Sequence, residues 1–215
     1  MADIDKQSVA RAYARWAPVY DVVFGRVFAR GRAASIAAVE RVGGRILDVG
    51  VGTGIALPDY KRTNRISAVD YSEPMLRKAQ ERVIEQKLDH VECVAVMDAQ
   101  QLGFADAVFD AVIAQYVVTA VPDPEATLNE LARVVRPGGE IILVNHIGAE
   151  NGPRWLFEQG FAPIARRLGW RPEFPWQRLA DWSQRHGGVR LLERAPMPPL
   201  GHFSMIRYER LRPAA

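Results

Sequence analysis

The sequence predicts an α/β fold in three layers, with helices on both faces of a seven-stranded sheet that is parallel except for its last strand. Three observations predict it. From Arg45 onward, short apolar runs alternate with stretches of helical periodicity, the pattern of a parallel sheet wound on both faces. Three glycines at alternate positions, Gly50, Gly52 and Gly54, follow the first apolar run. The last two apolar runs are joined by a connection too short for a helix, so they form an antiparallel pair.

Arg45–Gly50 (RILDVG) reads as a buried strand, and Gly52–Tyr60 as the turn into a helix. Arg65–Asp70 (RISAVD) is the second strand. Pro74 suits a first helical turn, and Met75–Gln86 continues with helical periodicity. Val91–Met97 is the third strand and Ala107–Gln115 the fourth. Pro124–Val135 is a helix, stopped by the turn Arg136-Pro137-Gly138-Gly139, and Glu140–His146 is the fifth strand. In the tail, Arg154–Leu168 reads as helix. Val189–Arg194 and Phe203–Arg210 read as the last two strands. Their connection, APMPPLGH, holds Pro196, Pro198 and Pro199, which exclude regular structure there.

Ahead of the sheet, Val9, Tyr13, Trp16, Tyr20, Phe24 and Val27 fall on one helical face, and Pro18 divides the segment in two. Two readings stay open: helices that cover the domain, or an amphipathic arm that closes over a ligand or rests on a membrane. The expected organisation is an N-terminal helical arm over 1–38 and a sheet domain over 39–215, with a helical, aromatic cap at 154–187.

Composition narrows the class. The chain has 215 residues, 48% hydrophobic and 25% charged, which fits one globular domain. No apolar run approaches the ~20 residues of a membrane span. The start, MADIDKQSVARAYARWAP, lacks the basic-then-apolar layout of a secretory signal. Cys93 stands alone, which excludes an internal disulfide framework and a Cys-rich zinc site; no metal is expected. Charge is uneven. Residues 1–45 carry eight Lys/Arg against four Asp/Glu, residues 46–150 nine against sixteen, and residues 151–215 eleven against five. Basic flanks around an acidic middle imply an anionic partner: a membrane surface, a phosphate ester or nucleic acid. Of the 28 basic residues 24 are arginine, whose planar fork suits phosphate.

The acidic middle holds the candidate cofactor site. Asp48 precedes the glycines, whose spacing is G-x-G-x-G, with Ile55 where a dinucleotide fingerprint places its third glycine. A carboxylate there repels a pyrophosphate and suits a ligand carrying an ammonium group. Asp70 ends the second strand, where a carboxylate accepts hydrogen bonds from ribose hydroxyls. Asp98 follows the third strand and can accept from an exocyclic adenine amine. Gln115 and Tyr116 end the fourth strand, and His146 the fifth. All fall at the carboxyl ends of parallel strands, where open α/β sheets bind ligands.

LDVGVGTG, AVDYSEPML, VMDAQQLGF, FDAVIAQYVV and LARVVRPGG stand in order over residues 40–146. In these the chain closely resembles the class I S-adenosylmethionine-dependent methyltransferases. The resemblance implies a Rossmann-like domain with S-adenosyl-L-methionine as cofactor. It implies that Asp48, Gly50, Gly52 and Gly54 surround the methionine end. Asp70 then holds the ribose beside Tyr71 and Met75, Asp98 and the backbone of Ala99 read the adenine, and the Gln115 carbonyl reaches the amino group.

Methyltransferases of this fold that act on nucleobase amines carry an Asn/Asp-Pro-Pro-aromatic run after strand four. This chain has Ala114-Gln115-Tyr116-Val117, and no nucleic-acid partner is expected. YARWAPVYDVVFGRVFARGR, IAQYVVTAVPDP and GHFSMIRYER resemble the bacterial phospholipid N-methyltransferases that convert phosphatidylethanolamine to phosphatidylcholine, of the soluble purple-bacterial type. That resemblance implies a monomeric cytoplasmic enzyme, peripherally associated with the inner membrane, acting on phosphatidylethanolamine and its mono- and dimethyl derivatives. Tyr20 is then expected over the cofactor methyl. Tyr13, Tyr20 and Tyr116 are candidate walls for methylated ammonium groups. His146 and Tyr116 are placed to take the amine's proton, although His146 reads equally as a structural histidine. Arg30, His202 and Arg207 are the candidate partners of the lipid phosphate. Trp155, Phe157, Phe161, Trp170, Phe174, Trp176 and Trp182, interleaved with arginines, suit either a membrane interface or a packed cap. The alternatives are a methyltransferase for a quinone precursor or small molecule, and a protein that holds the cofactor without catalysis. The G-x-G-x-G spacing argues against a nicotinamide-linked oxidoreductase.

Overall fold

A computed structural model describes residues 28–148, 174–197 and 201–213. The predicted segments 1–27, 154–168 and most of the aromatic run lie outside the described residues, with Pro198 and Pro199. The described elements are α1 (Ala29–Val42), β1 (Arg45–Val49), β2 (Arg65–Asp70), α2 (Glu73–Glu85), β3 (Val91–Val96), β4 (Phe109–Gln115), α3 (Pro124–Val134), β5 (Val135–His146), α4 (Trp176–His186), β6 (Val189–Met197) and β7 (Phe203–Arg210).

The seven strands form one sheet in the order β3-β2-β1-β4-β5-β7-β6. The first five are mutually parallel, and β7 runs antiparallel to both β5 and β6. The strand order reverses between β1 and β4, so a crevice opens at their carboxyl ends. Apolar side chains alternate between the faces. Ile36 and Val39 of α1 and Leu76 and Ala79 of α2 pack on one face with Ile46, Ile66 and Ile113. Leu128 and Leu131 of α3 and Leu179 and Trp182 of α4 pack on the other with Leu47, Val112, Ile141 and Tyr208. These are the three layers that the sequence predicts.

Local chemistry explains the helix starts. Asp123 caps α3, its carboxylate accepting from Ala126 N at 2.9 Å, and Pro124 occupies a first-turn position with no hydrogen bond to lose. Pro74 does the same in α2.

Four expectations need correction. Gly52–Tyr60 forms no α-helix; a 3-10 turn spans Leu57–Asp59. Gly52 and Gly54 take positive φ, and Pro58 has no N–H to donate back to Gly54. The bonds formed instead run three residues back, Leu57 N to Gly54 O and Asp59 N to Ala56 O, both 3.0 Å. β5 starts at Val135 rather than Glu140. Its pairing to β4 jumps from Phe109–Val135 to Ala111–Glu140, so Arg136–Gly139 loops out within the strand. Pro196 lies inside β6, opposite Ser204, because β6 is an edge strand where the missing N–H faces no partner. The expected boundary between residues 38 and 39 falls inside α1, a helix packed on β4, β5 and β7.

Phe174 and Trp182 are buried in the core beside α3, and Trp182 Nε1 donates to Asn129 Oδ1 at 2.8 Å. Trp176 packs under the Arg194 guanidinium, 4.3 Å from the ring centroid. These three aromatics serve packing. Trp182→Ala is expected to lower the unfolding free energy by about 3–5 kcal/mol in a urea titration.

Candidate active site

β1 runs into the glycine loop, and the loop is held from β2. Gly50 N donates to Val69 O at 2.8 Å. Asp70 then joins two backbones: its Oδ2 accepts from Gly52 N at 2.9 Å and its Oδ1 from Ser72 N at 2.8 Å. Burial pushes the Asp70 carboxyl up from its ordinary value, and the backbone donors work against that push. Gly50 has φ 75°, and a β-carbon there would collide with Val117. Gly52 has φ 58°, but a β-carbon on it would meet nothing within 4 Å. The loop is tight against the protein at Gly50 and open at Gly52.

Around that opening the strand ends form one cleft. Asp70, Tyr71 and Met75 line it from β2 and α2, Asp98 and Ala99 from beyond β3, and Gln115 from β4, with Gly50 and Gly52 between them. Asp98 Oδ1 accepts from Gln100 N at 2.9 Å, which fixes the carboxylate at the cleft wall. The Gln115 side chain donates to Ser35 Oγ of α1 at 2.9 Å. A second hollow adjoins the first across Gly50, Gly52, Gln115 and Tyr116, and Asp48 lies in it. Asp48 is 2% exposed, and burial pushes its carboxyl up to about 7; the Tyr60 hydroxyl, donating at 2.8 Å, counters and the nearby Asp70 adds. Gly54 lines neither hollow. A β-carbon there would stand 3.0 Å from Ala79 of α2, so this glycine serves packing rather than the expected cofactor contact. Tyr20 and Tyr13 lie outside the described residues.

An aromatic cluster stands beside the second hollow. Tyr116 stacks on Phe28 with centroids 4.1 Å apart, and both meet the edge of Phe203, at 5.4 and 5.5 Å. Tyr116 has φ 63° and its hydroxyl donates to Phe28 O at 3.3 Å. Gly31 makes this possible, since a β-carbon there would collide with the hydroxyl. Burial pushes the Tyr116 phenol above its ordinary value. A phenol that donates and resists ionisation does not accept a proton at neutral pH, which corrects half of the expected acid–base pair. His146 lies beyond Phe203, ring centroids 6.1 Å apart, and stacks on His202 at 6.0 Å.

The expected phosphate partners separate. His202 sits beside His146 at this edge. Arg30 is exposed on the first turn of α1. Arg207 lies four residues beyond Phe203 along β7, opposite Ile142. Its guanidinium is bidentate to Glu140 at 2.9 Å and bonded to Glu193 at 2.8 Å. The structure does not bring Arg207 to the clefts, and two carboxylates already neutralise it. Arg32, absent from the sequence-based candidates, lines the second hollow with Asp48 and Tyr116 and sits 3.7 Å from Asp59. Phe28, Ser72 and Phe203 were likewise missed. Phe28, Arg32 and Ser35 recur at helical spacing, a signal that points all three inward from α1. Among the described residues no group of His, Cys, Asp and Glu is arranged to hold a metal.

Comparison with known proteins follows this geometry. A family profile described as a methyltransferase domain matches residues 47–143. A phosphatidylethanolamine N-methyltransferase from Cereibacter sphaeroides is 39% identical over 207 residues, covering 96% of this chain and 100% of that protein. The chain belongs to the class I S-adenosylmethionine-dependent methyltransferases. A demethylmenaquinone methyltransferase from Thermobifida fusca (strain YX) is 31% identical over 208 residues, covering 90% of this methyltransferase and 87% of its own length. A solved structure of a SAM-dependent methyltransferase from Aquifex aeolicus superposes with TM-score 0.70 at 16% identity, over 92% of this chain and 98% of that one, and shares the fold.

The clefts fit the methyltransferase cofactor. The Ser72 hydroxyl is buried without a partner and lines the first cleft, Gly52 faces open space, and three carboxylates suit a ligand with hydroxyls, an exocyclic amine and positive charge. Asp70 and Ser72 would hold the ribose, Asp98 and Ala99 the adenine, and Asp48 the cationic methionine end. Asp70→Ala is expected to weaken S-adenosylhomocysteine binding about 10- to 100-fold, read by calorimetry, with circular dichroism unchanged. Arg207→Met is expected to cost about 1–3 kcal/mol of stability, by leaving Glu140 and Glu193 without their partner, while that binding stays the same. Full stability with lost activity would instead return Arg207 to substrate recognition.

Proposed function

We propose that this methyltransferase N-methylates phosphatidylethanolamine and its mono- and dimethyl derivatives, leading to phosphatidylcholine, at a membrane surface. The observation that carries the reading is the end-to-end likeness to the Cereibacter sphaeroides relative of that name. It extends well beyond the cofactor core that all such enzymes share.

S-adenosylmethionine, when bound, supplies an electrophilic methyl group on a sulfonium. The chain's own residues do the rest. Asp48, Asp70 and Asp98 fix the cofactor's polar ends, so the strand edge sets where an acceptor nitrogen must arrive. Such alignment lowers the barrier by several kcal/mol. The acceptor amine has an ordinary pKa of about 10 and must lose a proton before it attacks. His146 is the group proposed to take it, since Tyr116 stays neutral. Tyr116 and Phe28 supply an aromatic wall. A quaternary ammonium product has no N–H to donate, so a π face, worth about 1–2 kcal/mol when desolvated, is the recognition left to it. Arg30, Arg32 and His202 are the proposed cationic partners of the lipid phosphate.

The membrane enters through charge. Among the described residues no helix is long and apolar enough to cross a bilayer. The basic flanks would be drawn to anionic headgroups by about 1 kcal/mol for each near-surface Lys or Arg.

The Thermobifida fusca relative favours a second reading, methylation of a quinone-precursor carbon. Labelled S-adenosylmethionine offered with phosphatidylethanolamine liposomes or with demethylmenaquinone separates the two. Label is expected in mono-, di- and trimethylated lipid, and Tyr116→Ala is expected to lower that turnover at least about tenfold, while Tyr116→Phe keeps most of it. Label confined to the quinone would establish the second reading.

A further inference from the structure

We propose that Tyr60 is a positioning residue for the cofactor: by donating its hydroxyl to Asp48 it holds that carboxylate ready to ionise, and so couples binding of the cationic methionine end to release of a proton. The inference rests on Asp48 facing that cation.

The geometry is local and enclosed. Tyr60 follows the 3-10 turn Leu57–Asp59 and is 3% exposed; Asp48 is 2% exposed. Oη and Oδ2 are 2.8 Å apart, the only hydrogen bond to the Asp48 carboxylate among the described residues. The turn that presents Tyr60 is itself pinned from the residue before β3, where His90 Nε2 meets Leu57 O at 3.1 Å. Asp48 nevertheless reaches the ligand side, since it lines the hollow that includes Gly52, Arg32 and Tyr116.

Charge explains why the hydroxyl matters. Asp48 faces Asp70 from β2, which opposes its ionisation, and shares its hollow with Arg32 of α1. Burial is the largest influence and opposes ionisation, so the carboxyl is pushed up to about 7. Tyr60 counters by donating to the ionised form. Tyr60 cannot answer by losing its own proton. Burial, Asp48, Glu40 and Asp59 all push its phenol well above the ordinary value. The hydroxyl therefore stays a donor throughout the working pH range.

The sign follows. Below about pH 7 the free protein holds Asp48 protonated, and a cation must displace that proton. Affinity for S-adenosylmethionine should therefore rise with pH up to about 7 and lose this dependence above it. Removing one hydrogen bond to a charged acceptor moves the midpoint up by about one unit.

The test compares the full-length protein with Tyr60→Phe, measuring affinity for S-adenosylmethionine from pH 5.5 to 9. The ligand's own amine titrates near 8 in both proteins. It cancels in the ratio of the two affinities, and that ratio is the readout. The expected ratio is about tenfold in favour of the wild type at pH 6, falling to about one at pH 9. 5′-Methylthioadenosine, which lacks the amino acid and the sulfonium charge, should bind both proteins alike at every pH, and that binding also reports an intact pocket. A ratio that does not change with pH would overturn the role of Tyr60. A wild-type preference for S-adenosylmethionine over methylthioadenosine that is flat from pH 5.5 to 7 would overturn the placement of Asp48 at the cation, and this inference with it.

Discussion

The carboxylate of Asp70 is the joint on which the site depends. One oxygen takes the N–H of Gly52 and the other the N–H of Ser72, so the loop leaving β1 and the turn entering α2 are held by one side chain. Both backbone segments could satisfy those donors with water if the loop were open. They use a carboxylate instead, which places its remaining lone pairs toward the cleft. The same group that shapes the loop thus presents acceptors to a ligand. The parallel pairing of β1 with β2 sets this arrangement, since register puts Asp48 beside Ala68 and brings Val49 level with Val69, one residue short of Asp70.

Electrostatics gives the site its selectivity. Three carboxylates converge where the strands end, and two of them are pushed above their ordinary values by burial. A neutral or anionic ligand would leave that cost standing. A ligand with a fixed positive charge offsets it, so the acidic middle of the sequence and the cationic cofactor are two sides of one balance.

Much of this was legible beforehand, for physical reasons. Buried parallel strands read as continuous apolar runs, and β2 is found at the residues its sequence predicts. The acids at strand ends were legible because topology alone sends parallel carboxyl ends to one edge. What was hidden depended on partners distant in sequence. Arg207 reads as a spare cation until β5 and β6 bring Glu140 and Glu193 to it. Gly54 reads as part of the ligand loop until α2 lays Ala79 against it. Tyr116 reads as a base until Phe28 stacks on it and supplies a carbonyl for its proton. Pro196 reads as a break until β6 turns out to be an edge.

The antiparallel strand β7 has a consequence for the acceptor side. Reversal brings the start of β7, not its end, to the carboxyl edge of the sheet, so Phe203 pairs with His146 there. From the opposite side α1 delivers Phe28, and the two phenylalanines enclose Tyr116. The described aromatic wall therefore joins the residue after β4 to residues from the beginning and the end of the chain. The clefts that would hold the cofactor are lined from the ends of β1 to β4, within the stretch that the family profile covers. On the proposed reading, the acceptor would meet this wall of Phe28, Tyr116 and Phe203. Variation in the chain's extremities would then change the acceptor without disturbing the methyl donor.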